Sequence, residues 1–390
     1  MKSTNKLTAM AIVAVVSFTS CSTNTQQKAE LEPTAAQQLI DKLECISRDS
    51  CVVFGHHDDT AYGVTWNNIG IAEHNDLDTT GRSDVKDVVG DYPGLMNWDL
   101  GRIEFDSDKE LDGVPFDFIR NEIRKQHKRG GINSISFHVS NPLTIGNSWD
   151  TTSVNVEKNV VNLMQSATEQ GTEVNKRLCS WIEKAANFIA SLTDENGKPI
   201  PVVFRPWHEH TGSWFWWGAA HSTPENYKQL WKLTRAIFDK HNITNVVWCY
   251  SPDRCETAEK YLECYPGDEY VDIMGADVYM FGAEDGIEWY TNSARQTLTA
   301  ATNYAKQHNK LVAFSETGSE TIPVPDFFNN ILLPICKEFN TCYVCVWRNA
   351  TPWMKENHYY APYKGHASEA SFIQFYNNPS TLFCNETAKY

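Results

Sequence analysis

From residue 51 onward, short apolar runs alternate with longer segments in which apolar residues recur every three or four positions. The short runs are typical of strands buried on both faces, and the longer period is typical of helices that bury one face. The alternation occurs eight times and predicts strands at residues 51–55, 94–98, 132–137, 202–205, 245–250, 273–276, 311–315 and 342–347.

Helical patterns separate these strands, and several of them follow a Thr, Ser or Asp that can cap a helix. They predict helices at residues 116–128, 176–192, 224–240, 294–308 and 326–338. Repeated strand–helix units favour an α/β fold with a parallel sheet, and eight units predict a closed (β/α)8 TIM barrel. We expect a single domain over residues 39–390 to form this barrel.

The amino-terminal residues resemble an export signal. Lys2 and Lys6 precede an apolar run that is too short to span a bilayer, and small residues follow before Cys21. Residues 17–21 are similar to a bacterial lipobox. We therefore predict a signal peptide at residues 1–20, lipid attached to Cys21, a flexible tether at residues 21–38, and an exported protein anchored to a membrane only by that lipid. Plain secretion with cleavage nearby is the alternative.

The net charge and the positions of the cysteines limit the classes of ligand that the sequence favours. The formal net charge of −15 argues against nucleic acid as a ligand, because phosphate binding needs a basic surface. It is compatible with a neutral polymer. Most of the cysteines after Cys21 lie inside apolar patterns and are typical of core residues. We expect a monomer with no metal and no organic cofactor.

The most informative stretch is residues 201–218. A buried strand leads into Arg205, His208 and Glu209, and four aromatic residues follow from Trp214 to Trp217. A carboxylic acid at the carboxyl end of a barrel strand is suited to protonating a leaving group, and aromatic faces suit sugar rings. The alternative is a solvated Glu-His turn capped by tryptophans that belong to the core.

These residues resemble glycoside hydrolase family 26, whose best-known members are retaining β-mannanases. The family motif, Arg-Pro-x-His-Glu-x-x-Gly-x-Trp-Phe-Trp-Trp-Gly, is present from Arg205 to Gly218. Further pieces similar to the family follow at residues 137–142, 275–279, 314–318 and 346–348. The resemblance implies that Glu209 is the general acid/base and that His138 contacts substrate. A buried histidine bonded to a neighbouring carbonyl is the alternative for His138.

Three other strand ends carry candidate site residues. Glu316 ends an apolar strand, where a carboxylate is costly unless exposed or paired, and this makes it the candidate nucleophile. A carboxylate paired with arginine below the cleft is the competing interpretation. Asp277 and Tyr279 are two residues apart on strand six and are expected to face one side, towards the ligand. Further candidate ligand contacts are Arg205, His208, Trp214, Trp347 and Arg348.

The main hypothesis is a retaining glycosidase in which Glu316 attacks and Glu209 protonates, with Arg205, Tyr279 and His208 keeping Glu316 ionised. The resemblance implies β-1,4-linked mannan, galactomannan or glucomannan as substrate, with internal cleavage or mannobiose release both open. Alternatives are a hydrolase of related β-glucan or β-xylan, a non-catalytic carbohydrate-binding lipoprotein, and a metal-dependent hydrolase that uses His57, Asp58 and His208.

Overall fold

A computed structural model describes residues 32–69, 81–154, 162–352 and 354–390. The predicted signal peptide, Cys21 and most of the predicted tether lie outside these ranges. No helix in the described ranges combines the length and the apolar composition that membrane crossing requires.

Eight parallel strands close into a barrel and confirm the predicted fold. In chain order they are β1 (Val52–His57), β2 (Leu95–Asp99), β3 (Ile132–Phe137), β4 (Val202–Pro206), β5 (Val246–Tyr250), β6 (Ile273–Met280), β7 (Leu311–Ser319) and β8 (Tyr343–Val346). Each strand pairs with the next, and β8 pairs with β1 to complete the ring. A short strand, Thr381–Leu382, adds to the lower part of β1.

Helices surround the barrel, and the described ranges contain α1 (Ala35–Arg48), α2 (Asp84–Val89), α3 (Phe116–Lys128), α4 (Leu163–Thr168), α5 (Glu173–Ala190), α6 (Pro224–Lys240), α7 (Ala258–Leu262), α8 (Ile287–His308), α9 (Leu333–Phe339), α10 (Glu369–Tyr376) and α11 (Cys384–Thr387). The bounds of α3 and α6 are those predicted. Thr223 caps α6, as the sequence indicated, and Thr172 caps α5, which begins at Glu173 instead of the predicted residue 176. A π-helical segment, Phe327–Leu332, precedes α9 where one continuous helix was predicted.

Helix α1 corrects the predicted tether boundary at residue 38. Thr34 caps this helix, so ordered structure begins before residue 38. Leu39, Leu43 and Ile46 are buried on α1. They pack with inward-facing residues of the lower barrel, including Val53 and Val203. The helix therefore closes the amino end of the barrel, opposite the end where active sites form.

Strands β6 and β7 each extend four residues beyond their predicted ends. Their pairing contains a register shift, because Gly275 lies opposite Ala313 whereas Asp277 lies opposite Glu316. An extra residue on β7 makes this a β-bulge, and bulges re-aim side chains. Without it, the strict alternation of a strand would send Ala313 and Glu316 to opposite faces. The bulge thus turns Glu316 into the barrel mouth.

Candidate active site

Glu209 lies just after β4 at the carboxyl end of the barrel. Its backbone has a φ of 55°, and Trp207 has a φ of 56°, a left-handed conformation that is uncommon for residues other than glycine. The Glu209 amide N–H donates to the Ser251 carbonyl on the neighbouring chain segment at 2.8 Å. The indole N–H of Trp214 donates to Glu209 Oε2 at 2.8 Å. These bonds hold the carboxyl group in place at a strained turn, a feature that is common at functional sites.

The surroundings of Glu209 favour its protonated form. Burial raises the pKa of this carboxyl well above its ordinary value, and the nearby charges of Glu316, Asp277 and Asp253 raise it further. The hydrogen bond from Trp214 lowers the pKa but does not outweigh these effects. Glu209 therefore retains a proton to higher pH than an ordinary glutamate, as a general acid must.

Glu316 contacts two hydrogen-bond donors that stabilise its charge. The Tyr279 hydroxyl donates to Oε1 at 2.6 Å, and the Arg205 guanidinium donates to Oε2. Glu316 as a whole residue is 6% exposed, so these contacts operate where water screens them weakly. Two of the three residues predicted to keep Glu316 ionised are thus in contact with it.

Arg205 and Asp277 lie below the site rather than in it, which corrects their prediction as ligand contacts. Both side chains are almost completely buried. Arg205 Nη1 is 2.6 Å from Asp277 Oδ2, and the hydroxyls of Ser251 and Ser315 donate to the same carboxylate at 2.9 and 2.7 Å. Burial lowers the pKa of Arg205, but the charges of Asp277 and Glu316 more than reverse this effect. The buried network positions Glu316.

His208 was predicted to stabilise Glu316, and the structure gives it another partner. Its Nε2 lies 3.1 Å from Nε2 of His138, and the side chain is buried. Burial lowers the pKa of His208 well below its usual value, and the charge of Arg205 lowers it further. A neutral imidazole gives Glu316 no charge stabilisation. His208 therefore supports His138, whose Nδ1 lies 2.8 Å from Asp99 Oδ2.

Only one of the four aromatic residues after Glu209 is open to a ligand. Trp214 is 40% exposed, whereas Phe215, Trp216 and Trp217 are buried. The indole N–H groups of Trp216 and Trp217 donate to backbone carbonyls. The alternative that these tryptophans belong to the core is thus correct for both of them. Trp149, on the loop after β3, is exposed and stacks with His138 at a centroid distance of 5.5 Å.

The residues after β8 lie on the other side of the barrel mouth. Trp347 is half-buried and stacks on His57, with ring centroids 4.1 Å apart and planes inclined by 15°. Arg348 Nη1 lies 2.7 Å from Asp112 Oδ1 and donates to the Tyr62 hydroxyl at 3.1 Å. The guanidinium is therefore held against the loop after β2. Its predicted role as a donor to a sugar hydroxyl stays a prediction.

His57, Asp58 and Asp112 bring potential metal-ligand atoms within 4.8 Å of one another. His208, the third member of the predicted metal hypothesis, is not part of this described group. Arg348 forms an ion pair with Asp112. The Tyr62 hydroxyl donates to Asp58 Oδ2 at 2.5 Å. Both carboxylates therefore already have partners from the chain itself, so their position inside the barrel mouth does not by itself indicate a metal.

A cavity of about 450 Å³ beside Glu209 is lined in part by residues to which the sequence analysis assigned no role. Its lining includes Asp253, Arg254, Phe281 and Trp289, from the segments after β5 and β6. Burial raises the pKa of Asp253 to about 6. The position of Asp253 at a strand end was visible in the sequence, but Phe281 and Trp289 follow no recognisable motif.

Comparisons with known proteins identify curated and structural relatives of this chain. A mannan endo-1,4-β-mannosidase from Bifidobacterium adolescentis is 28% identical over 80% of this chain and 32% of its own length. One from Bacillus subtilis is 30% identical over 61% of this chain and 60% of its own length. The chain thus spans less than two thirds of either curated relative.

Among solved structures, a GH26 β-mannanase from Bacteroides ovatus is 41% identical, with a TM-score of 0.82 over 91% of this chain and 97% of that one. The family model for glycosyl hydrolase family 26 matches residues 30–361. That match includes all eight strands and both glutamates, and the chain belongs to glycosyl hydrolase family 26.

Proposed function

We propose that this protein is a retaining glycoside hydrolase that cleaves β-1,4-mannosidic bonds in mannan, galactomannan or glucomannan. The observation that carries the mechanism is the contrast between two glutamates in one barrel mouth. Glu209 is placed to keep its proton, whereas Arg205 and Tyr279 stabilise the charge of Glu316. Environments that separate two carboxyl groups in this way assign the acid and the nucleophile. The named mannanase relatives support the substrate.

In the first step, the Glu316 carboxylate attacks the anomeric carbon and the bond from that carbon to the leaving oxygen breaks. Glu209 gives its proton to this oxygen. The product is a glycosyl ester on Glu316, and the shortened chain departs. Arg205 and Tyr279 fix the orientation of the Glu316 carboxylate, so little further conformational entropy is lost when it attacks.

In the second step, Glu209 acts as a base, and its surroundings change in the required direction. Glu316 carries no charge once it is an ester, so one of the repulsions that raise the pKa of Glu209 disappears. Glu209 then holds its negative charge more easily and takes a proton from the incoming water. The hydroxyl oxygen attacks the anomeric carbon, Glu316 is released as carboxylate, and the sugar regains its original configuration.

The test is a substrate panel combined with stereochemistry. We expect hydrolysis of linear mannan, galactomannan or glucomannan, and proton NMR of the first reducing sugar should show the β configuration. Preference for β-glucan or β-xylan would overturn the substrate, and an α first product would overturn the retaining mechanism. The sizes of the products from mannan will distinguish internal cleavage from mannobiose release.

We also propose that the protein is exported and anchored by lipid at Cys21. The support is the apolar run and small residues that precede this cysteine. Cells that express the full chain should incorporate labelled palmitate into the protein, and Cys21→Ser should prevent this. Cys45→Ser, which changes a cysteine within α1, is the control. Labelling that survives Cys21→Ser would refute the anchor.

A further inference from the structure

The segment after β8 brings Tyr360 against Tyr279, the residue that donates a hydrogen bond to Glu316. The two rings meet edge to face, with centroids 5.6 Å apart and planes inclined by 73°. This is a favoured geometry for aromatic pairs. Tyr360 is 8% exposed, so the contact is buried. A segment to which the sequence analysis assigned no role is therefore packed against the residue that holds the nucleophile.

Tyr360 also lies directly on the backbone of β7. A Cβ atom added to Gly318 would be 2.5 Å from Cδ1 of Tyr360, which is closer than such atoms approach. Gly318 has a φ of 149°, a conformation that glycine adopts more readily than other residues. Glu316 is two residues earlier on the same strand. The Tyr360 ring therefore packs against both strands that carry the hydrogen-bonded pair Tyr279 and Glu316.

Asn349 fixes the backbone of Tyr360. The Asn349 Oδ1 accepts from the N–H groups of Tyr360 and Ala361, each at 2.9 Å. Its Nδ2 donates to the Ala361 carbonyl and to Asp84 Oδ2, each at 2.9 Å. Asn349 and Asp84 are both buried, and buried polar groups that lose their partners are costly. These bonds hold Tyr360 in one place relative to the barrel.

Tyr279 needs such support because its hydroxyl lies at the far end of a long side chain. The residue is near the end of β6 and is half-buried. A small rotation close to the backbone moves the hydroxyl by a larger distance, and a misplacement of about 1 Å at an active site can cost about 100-fold in rate. Packing against Tyr360 restricts this rotation.

Given the proposed role of Glu316 as nucleophile, we propose that Tyr360 is a positioning residue for Tyr279 and, through it, for Glu316. Tyr360 acts through its ring, because the ring makes the contact with Tyr279. Burial raises the pKa of the Tyr360 hydroxyl, and the charges of Glu320 and Glu316 raise it further, so this group stays neutral. Asn349 maintains the arrangement by holding the backbone of Tyr360.

A double-mutant cycle separates positioning from a general structural role. We would measure kcat/KM on mannopentaose, together with thermal unfolding, for Tyr360→Ala, Tyr279→Phe and the double variant. Tyr360→Phe retains the ring and tests whether the hydroxyl matters. Tyr359→Ala is the matched control, because this neighbouring tyrosine packs with Tyr363 and His366.

We expect Tyr360→Ala to lower kcat/KM roughly three- to tenfold, as the loss of one aromatic pair predicts. In the Tyr279→Phe background the same change should cost less than about twofold, because the hydroxyl that Tyr360 positions is absent. Tyr360→Phe should recover most of the wild-type kcat/KM. Tyr359→Ala should have the same small effect in both backgrounds. If Tyr360→Ala folds poorly, Tyr360→Leu keeps much of the buried volume while removing the ring, and the same cycle applies.

Equal losses in the two backgrounds, or no loss in either, would overturn the positioning role. A loss for Tyr360→Phe as large as that for Tyr360→Ala would also overturn it, because the hydroxyl rather than the ring would then be responsible. A wild-type protein that left mannopentaose intact would refute the proposed function itself. The wild-type measurement therefore distinguishes a failure of the function from a failure of this inference.

Discussion

The Tyr279 hydroxyl and Oε1 of Glu316 are 2.6 Å apart, on adjacent strands whose pairing contains the β7 bulge. The contact exists because the bulge turns Glu316 into the mouth while regular alternation keeps Tyr279 there. A donor at this distance stabilises the carboxylate and fixes its direction of attack. Tyr279 is therefore a positioning residue for the nucleophile.

Tyr279→Phe removes this hydrogen bond and little else. A bond to a charged group contributes about 1.5–3 kcal/mol, so we expect kcat/KM on mannopentaose to fall roughly 10- to 100-fold. Thermal unfolding should change little. Tyr363→Phe, on a tyrosine that packs with Tyr359 and His366, is the control. Wild-type kinetics in Tyr279→Phe would show that Arg205 alone positions Glu316.

Glu209→Ala removes the acid. Cleavage of mannan should fall by about 10²–10⁴-fold, the usual contribution of general acid–base catalysis. Hydrolysis of β-mannobiosyl fluoride should lose much less in its first step, because fluoride departs with little protonation. Pre-steady-state release of fluoride ion is the measurement. Matching losses for mannan and for fluoride release would remove Glu209 from the acid role.

Glu316→Ala should abolish turnover of both substrates, because no group remains to form the glycosyl ester. The truncation leaves space next to Arg205, which suits a small anion. Added azide should therefore restore consumption of the fluoride substrate and yield an α-mannobiosyl azide, identified by NMR. A β-configured azide would contradict the assignment of Glu316 as nucleophile.

Asp253→Asn should shift the pH dependence of activity. The charge of Asp253 raises the pKa of Glu209, so its removal lowers that pKa. A general acid is active while protonated, and the basic limb of kcat/KM should therefore move to lower pH. The shift should be absent well below pH 6, where Asp253 itself is protonated. Asp117→Asn, at an exposed position on α3, is the control. A basic limb that stays in place would contradict the coupling.

Trp214 and Trp217 should respond differently to truncation, although only two residues separate them. Trp217→Ala leaves a large cavity in the core and should destabilise the protein by about 3–5 kcal/mol. Trp214→Ala should cost little stability and should reduce activity through a lost sugar contact of about 1 kcal/mol, with Trp347→Ala behaving similarly. Urea unfolding and kcat/KM on mannan are the measurements. A large loss of stability in Trp214→Ala would place its indole in the core.

The sequence was sufficient to predict the barrel and the position of Glu209 just after a strand, because apolar periodicity and strand ends are local features. It was not sufficient to predict how deeply a given side chain is buried. Alternation predicts that Asp277 and Tyr279 share a face, but ring closure decides that Asp277 is buried against Arg205 while Tyr279 reaches Glu316. The partner of His208 likewise follows a different strand, β3, about 70 residues earlier in the chain.

The sequence pattern predicted neither the β7 bulge nor helix α1, for two different reasons. An extra residue in β7 leaves no mark in the apolar pattern, so the sequence placed Glu316 at a strand end instead of within a strand. Helix α1 begins close to a polar, Gln-rich segment, and its three buried positions are too few to outweigh that composition. Its burial depends on the open lower end of the barrel, which exists only after the strands have closed.

Asp277 gives Arg205 a partner that forms no bond to the sugar during turnover. In the proposed double displacement, Glu316 loses its charge when the ester forms and regains it when the ester is hydrolysed. Asp277 takes part in neither event, so we expect its contact with Arg205, 2.6 Å in this structure, to persist through both. The guanidinium group therefore need not move to follow the reaction, and the reorganisation energy of each step stays small. A cation held by Glu316 alone would have to be recaptured in every cycle.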